Sequence, residues 1–150
     1  MKTAKVLTEN DLTPLNLRRF FQSEYMNAYV FEDERVYVHV DDGLLVQISL
    51  DKTNKLLKFF VAYDNDTFQL GIANINVINL TNILGRFAVY EHRDTIIVTY
   101  HLPYEGGITP YQLLAVLRTL ATVANDAIDE EASRVQEEPP DSIKSKKVLN

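Results

Sequence analysis

A chain of 150 residues with a net charge of −6 and no cysteine suits one domain that buries roughly 70% of its unfolded surface, and it excludes disulfides, thiolate catalysis and cysteine-bound zinc. Its lysines and arginines form no block within the folded region, which argues against nucleic-acid binding, because that depends on neutralising phosphates. No stretch approaches the ~18 uninterrupted apolar residues of a membrane-spanning helix, the first ten residues lack a secretory apolar run, and a reducing cytoplasm is the expected compartment.

Thr13-Pro14 offers an N-cap followed by proline at the first helical position, and Leu17, Phe20, Phe21 and Tyr25 repeat at helical spacing. A helix over 13–25 is predicted, followed by a mixed connector through Asn27-Ala28-Tyr29. From Arg35 the period changes to two: Val36, Val38 and Val40 alternate with Tyr37, His39 and Asp41. Asp42-Gly43 supplies a hairpin turn, Leu44, Val46, Ile48 and Leu50 continue the buried set, and a second turn at Asp51-Lys52-Thr53-Asn54 leads into the strand 56–62.

Asp64-Asn65-Asp66 caps a second helix, whose apolar stripe runs through Phe68, Ile72, Ile75, Ile78 and Leu84 to a terminal Gly85. Strands over 86–91 and 95–102 follow, joined at His92-Arg93-Asp94. Gly106-Gly107 then precedes Thr109-Pro110, which opens a last helix carrying Leu113, Leu117, Leu120, Ala124 and Ile128. The predicted order is α-β-β-β-α-β-β-α. That is an α+β domain with one antiparallel sheet, a meander plus a hairpin, and helices packed on it. The domain is expected over 1–132. Residues 133–150, with Pro139-Pro140 and three lysines, are expected to be a flexible charged tail.

The chemistry-bearing residues do not converge. His39, His92 and His101 are scattered, no serine sits in a nucleophile elbow, and the aspartate pairs coincide with turns and a helix start. Catalytic residues, cofactor and metal are therefore all expected to be absent. Asn74, Asn76, Asn79 and Asn82 crowd one helix, either tying it to nearby loops or forming a polar interface. Asp126, Asp129, Glu130 and Glu131 stand at the unfavourable end of a helix dipole, as a solvated end or as a steering patch for a basic partner. Tyr37, Leu45, Phe59 or Phe60, Ala88 and Tyr90 leave a surplus of apolar side chains on the sheet, which suits a subunit or partner surface.

Asn76-Val77-Ile78-Asn79, then Gly85-Arg86-Phe87, the strand 95–100, and Leu102-Pro103 through Gly107-Ile108-Thr109 resemble, in order and spacing, the YbjN family of bacterial proteins. That family's fold is similar to that of type III secretion chaperones, and the resemblance covers roughly residues 12 to 130. It implies one α+β domain, often dimeric, acting as a sensory-transduction regulator, with no established reaction and so no catalytic residues to carry over. The lysine-bearing tail has no counterpart in the family pattern.

The expectation is a non-enzymatic protein-binding or regulatory module, chaperone-like and homodimeric, with a protein partner or client. Its candidate contact residues are Tyr37, Leu45, Phe59, Tyr90, Asn76, Asn79 and Tyr104. The competing expectation is a small-ligand or enzymatic site at the 104–109 junction, from Tyr104 to Thr109, because a helix start behind two glycines can attract an anion.

Overall fold

Thr13 stands in extended backbone just outside helix α1 (Pro14–Ser23), and its Oγ1 accepts a hydrogen bond from the Asn16 backbone N–H at 3.1 Å. The cap is the one that the Thr-Pro pair predicts. The computed structural model describes residues 6–32, 34–40, 44–81, 86–90 and 94–137, apart from the side chains of Thr67, Thr81, Tyr90 and Glu137. The expected turn at Asp42-Gly43, the helix end at Leu84-Gly85, Asn82, His92 and residues 138–150 lie outside that set.

Where a connector was expected, residues Asn27–Val30 form strand β1, paired antiparallel with β2 (Val36–Val40). Four residues give only two alternations, too short a period to read against background. Tyr25 and Glu34 flank the strand at φ 63° and 61°, so the chain reverses before and after it. Strands β3 (Leu44–Asp51) and β4 (Leu56–Asp64) complete the meander.

The β3–β4 turn is tied by one carboxylate. Asp51 accepts hydrogen bonds from the Asn54 backbone N–H and from Asn54 Nδ2, both at 3.0 Å, and Lys58 Nζ lies 3.4 Å away. The Asn54 side-chain and backbone bonds, with Lys58 adding, hold the Asp51 carboxyl down at about 2. A depressed carboxylate stabilises the fold above its unfolded pKa and loses that contribution as pH falls toward the folded value. Asp51→Asn is therefore expected to flatten the fall in urea midpoint between pH ~4 and pH ~2 relative to the parent. Asp66 is shifted the opposite way by Asp94 and Asp64, and comparing variant with parent cancels its effect. Equal acid slopes for the two proteins would contradict the role of the turn.

One continuous second helix was expected, and two are found: α2 (Asn65–Phe68) and α3 (Ile72–Thr81). The break is a side-chain effect. Buried Asn65 donates from Nδ2 to the Leu70 carbonyl at 2.8 Å, and its Oδ1 accepts from the Leu70 N–H at 2.9 Å. Between them Gln69 is forced to φ 55°, which ends the first helix. Asn74 Oδ1 then accepts from the Gly71 N–H at 2.8 Å and restarts the chain as α3.

Strands β5 (Arg86–Tyr90) and β6 (Thr95–Pro103) close the sheet in the order β1-β2-β3-β4-β6-β5, with every pairing antiparallel. Helix α4 (Pro110–Glu137) is 28 residues long, about 42 Å at the helical rise. It buries Leu113, Leu117, Leu120, Ala124 and Ile128 in the core. The helix passes the boundary expected at residue 132. Ala132 is buried and Val135 packs against the core, so residues 133–137 continue the ordered domain.

Alternation decides where that core sits. Val36, Val38, Val46, Ile48, Leu57, Phe59, Val61, Ile96, Val98 and Phe87 occupy one sheet face and cluster with Leu17, Phe21, Ile75, Ile78 and the α4 leucines. Every helix that contributes to the core does so from this side, so the sheet is a two-layer structure with its second face outward.

Candidate functional site

The outward face is built by the residues that alternate with the core. Tyr29, Tyr37, Gln47, Phe60, Thr99 and Arg86 pair in register across all six strands and form one row over the middle of the sheet. Beside it run Asn27, His39 and Leu45, with Ala62, Ile97 and Ala88 continuing toward β5. Ile97 is only 8% exposed, yet it is not part of the helix-side core.

The β1–β2 corner concentrates aromatic rings. Tyr29 stacks on Tyr37 at a centroid distance of 5.4 Å and a plane angle of 9°. Phe31 meets Tyr29 edge-on at 5.2 Å and Tyr37 at 5.0 Å, and the His39 ring lies 5.9 Å from Tyr29. Such pairs contribute about 0.5–1.5 kcal/mol each beyond area burial. They hold three large rings in fixed positions at the surface, with Phe31 still 55% exposed and Leu45 36% exposed. Charges of both signs share the face with these rings: Arg86 and Lys58 against Asp51 and Asp64, with His39 and His101 beside them. Lys58 is itself paired with Asp51.

The seven residues expected to contact a partner separate clearly. Tyr37 and Leu45 lie on the open face. Phe59 does not: it is fully buried beneath the helices, and its neighbour Phe60 takes the outward position. Tyr90 is the β5 residue in register with Thr95. Asn79 is tied to β5, donating from Nδ2 to the Phe87 carbonyl at 3.0 Å and accepting from the Phe87 N–H at 2.8 Å. Asn76 is exposed on α3, away from the open face of the sheet. Tyr104 is 4% exposed and belongs to the core, so it offers no contact surface.

Tyr29, Phe31 and Ile97 complete the face and were not singled out from the sequence, which left Phe60 open as the alternative to Phe59. The Tyr29-Val30-Phe31 triplet, aromatic around a β-branched residue, carried the signal for the first two.

The 104–109 junction is used by the chain itself. The Leu7 N–H donates to the Ile108 carbonyl at 2.7 Å, and the Ile108 N–H donates back to the Leu7 carbonyl at 2.9 Å. The Gly107 N–H donates to the Tyr104 carbonyl. Thr109 and Gln112 form a reciprocal cap: the Thr109 N–H donates to Gln112 Oε1 at 2.8 Å, and Thr109 Oγ1 accepts from the Gln112 N–H at 3.1 Å. The N–H groups of Gly107, Ile108, Thr109 and Gln112 are therefore engaged within the chain.

The acidic run 126–131 does not end its helix as expected, because α4 continues to Glu137 and leaves the run before its last turn; nor is it a simple solvated patch. Glu131 is buried and accepts from Arg134 Nε at 3.1 and 3.2 Å and from Asn74 Nδ2 at 3.3 Å. The Arg134 guanidinium, helped by Asn74, holds its carboxyl below the usual range. Asp126, Asp129 and Glu130 remain exposed.

Among the described residues no group of three or more histidines and carboxylates is placed to hold a metal ion, and no helix is long and apolar enough to cross a membrane. No curated protein matches the sequence. The fold is similar to the crystal structure of YbjN, "a putative transcription regulator from E. coli", with a TM-score of 0.65 over 82% of this chain and 93% of that one, at 14% identity. The family model for YbjN, described as "Putative bacterial sensory transduction regulator", matches residues 13–131. That match runs from the cap of α1 to buried Glu131 near the end of α4, and the chain belongs to the YbjN family.

Proposed function

We propose that this chain is a non-enzymatic regulatory module of the cytoplasm that acts as a homodimer and docks a protein partner, in the manner of a chaperone, on the open face of its sheet. One observation carries this reading. The helices contribute to the core from a single side, and the other side presents Tyr29, Phe31, Tyr37, Leu45 and Phe60. Large apolar side chains gathered on one face usually mark a protein contact. Because the rings are braced against one another, little side-chain entropy remains to be lost on binding.

The test compares the tagged wild-type chain with Tyr37→Asp/Phe60→Asp as bait in a bacterial lysate. A discrete protein recovered by the wild type and absent from the variant is expected, with both baits melting cooperatively. Identical recovery by both would contradict the assigned face. Light scattering at micromolar concentration is expected to give twice the chain mass, and a strict monomer would contradict the homodimer.

A further inference from the structure

Helix α3, Ile72-Ala73-Asn74-Ile75-Asn76-Val77-Ile78-Asn79-Leu80-Thr81, carries apolar residues on every side. A helix of that composition is ordinarily buried all round, yet α3 is buried on one side only. Ile75 and Ile78 enter the core and Asn79 ties the helix to β5, whereas Ile72, Ala73, Val77 and Leu80 stay exposed, Leu80 at 85%. Ala73, Val77 and Leu80 repeat at helical spacing and form one apolar stripe along the outside of the helix.

Val77 joins that stripe to a groove of about 520 Å³ between α3 and α4, floored by Val77, Ile78, Val123 and Ala127 and rimmed on the α4 side by Asp126 and Glu130. Glu131 and Arg134 line its end, where Asn74 crosses from α3 to Glu131 at 3.3 Å. A shallower depression continues past Asp129 and Ser133. The residues lining the two hollows include four carboxylates, Asp126, Asp129, Glu130 and Glu131, against one guanidinium, Arg134, which Glu131 holds. On the other bank α3 has no charged residue. The result is an apolar trough with one acidic wall and one neutral wall. Phosphate-bearing surfaces are repelled by such a wall. A second copy in an isologous contact would bring the same acidic wall and no cation to offset it.

We infer that the α3–α4 groove is a second docking surface, separate from the open sheet face, and that its occupant is an amphipathic helix of another protein with lysines or arginines along one flank. Its apolar stripe, at i, i+3, i+4 and i+7, covers Val77, Leu80, Val123 and Ala127, which closes the exposed side of α3. Its cationic flank lies along Asp126 and Glu130, and its opposite flank, over α3, is uncharged. That asymmetry fixes which side of the incoming helix faces α4.

The test titrates the isotope-labelled full chain with a stapled helical peptide of about 15 residues, bearing leucines at i, i+3, i+4 and i+7 and lysines on one flank, and with a twin in which glutamates replace the lysines. The lysine peptide is expected to shift the amides of Val77, Leu80, Val123 and Ala127. It should bind about tenfold or more tightly than its twin at ~0.05 M salt and lose that advantage at ~0.5 M. Asp126→Lys/Glu130→Lys should reverse the preference, and because both side chains are exposed the fold should survive. Tyr37→Asp/Phe60→Asp should change nothing here, so this site and the sheet-face reading stand or fall separately. No binding, shifts confined to the open sheet face, equal affinity for the two peptides, or a preference untouched by the charge reversal would overturn the inference. Shifts at the same amides without peptide would also overturn it. If they followed Lys144→Gln/Lys146→Gln/Lys147→Gln, they would assign the groove to the chain's own C-terminal segment, and if they grew with protein concentration, to a second copy.

Discussion

Phe59→Ala is expected to cost about 3–5 kcal/mol of folding stability, whereas Phe60→Ala, one residue further along the same strand, should cost about 1 kcal/mol. Phe59 is fully buried on β4, between Ile48 and Tyr100 in register, and its loss leaves a cavity in the middle of the core. Phe60 stands on the open face between Gln47 and Thr99 and leaves no enclosed void. Domains of this size retain only about 5–15 kcal/mol in total, so the first variant should be marginal at room temperature and the second close to wild type. Urea midpoints with unchanged slopes would measure the difference. Equal losses would mean that the two faces have been exchanged.

The same pair shows where sequence reading failed. A run of apolar residues on a central strand does not disclose which member points inward, and a shift by one residue exchanges every side chain between faces. The run 56–62 holds Leu56, Leu57, Phe59, Phe60, Val61 and Ala62, so its alternation is hidden. Its neighbours resolve the phase. Val36, Val38 and Val40 alternate cleanly with polar or amphipathic residues, and register with β3 and then β4 carries that phase to Phe59. The outward-facing position on β4 is therefore Phe60 and not Phe59.

Gly107→Ala is expected to be the most damaging small substitution outside the core, at about 2–4 kcal/mol, and Gly106→Ala should cost about 1–2 kcal/mol. Both glycines have positive φ, 80° at Gly106 and 98° at Gly107, so either alanine is strained. The difference lies in what surrounds them. A Cβ at Gly106 meets nothing within 4 Å, whereas one at Gly107 falls 2.7 Å from the Leu7 carbonyl oxygen and 3.0 Å from Val6 Cγ1. The N-terminal segment must then retreat, and both Leu7–Ile108 hydrogen bonds go with it. Hydrogen exchange at the Leu7 and Ile108 amides should accelerate strongly in Gly107→Ala and little in Gly106→Ala. Comparable protection in both variants would contradict the close approach.

Local signals proved legible and long-range ones did not. Thr13-Pro14 and Thr109-Pro110 start helices where their cap chemistry says they must, and the glycine pair takes the positive φ that its composition suggests. The helix break at Gln69 was hidden because Asn65 imposes it through side-chain bonds to Leu70 that no propensity encodes. The reason for Gly107 lies a hundred positions away, at Leu7. Glu131 reads as one more acid in a charged run, and only the return of Asn74 from α3 and of Arg134 from the next turn makes it a buried, paired group. Of the open sheet face, the β2–β3 portion could be read from alternation. The β1 corner needed the pairing of Tyr29 with Tyr37 to become visible.

The most direct measurement replaces Phe60, and separately Tyr37, by a photo-activated benzophenone residue in the full chain expressed in living bacteria, with Arg118 on the exposed side of α4 as the control position. Irradiation should yield a discrete protein adduct from both sheet positions and none of that mass from Arg118. Absence of an adduct from Phe60 and Tyr37, or the same adduct from all three positions, would show that nothing docks on the open side of the sheet.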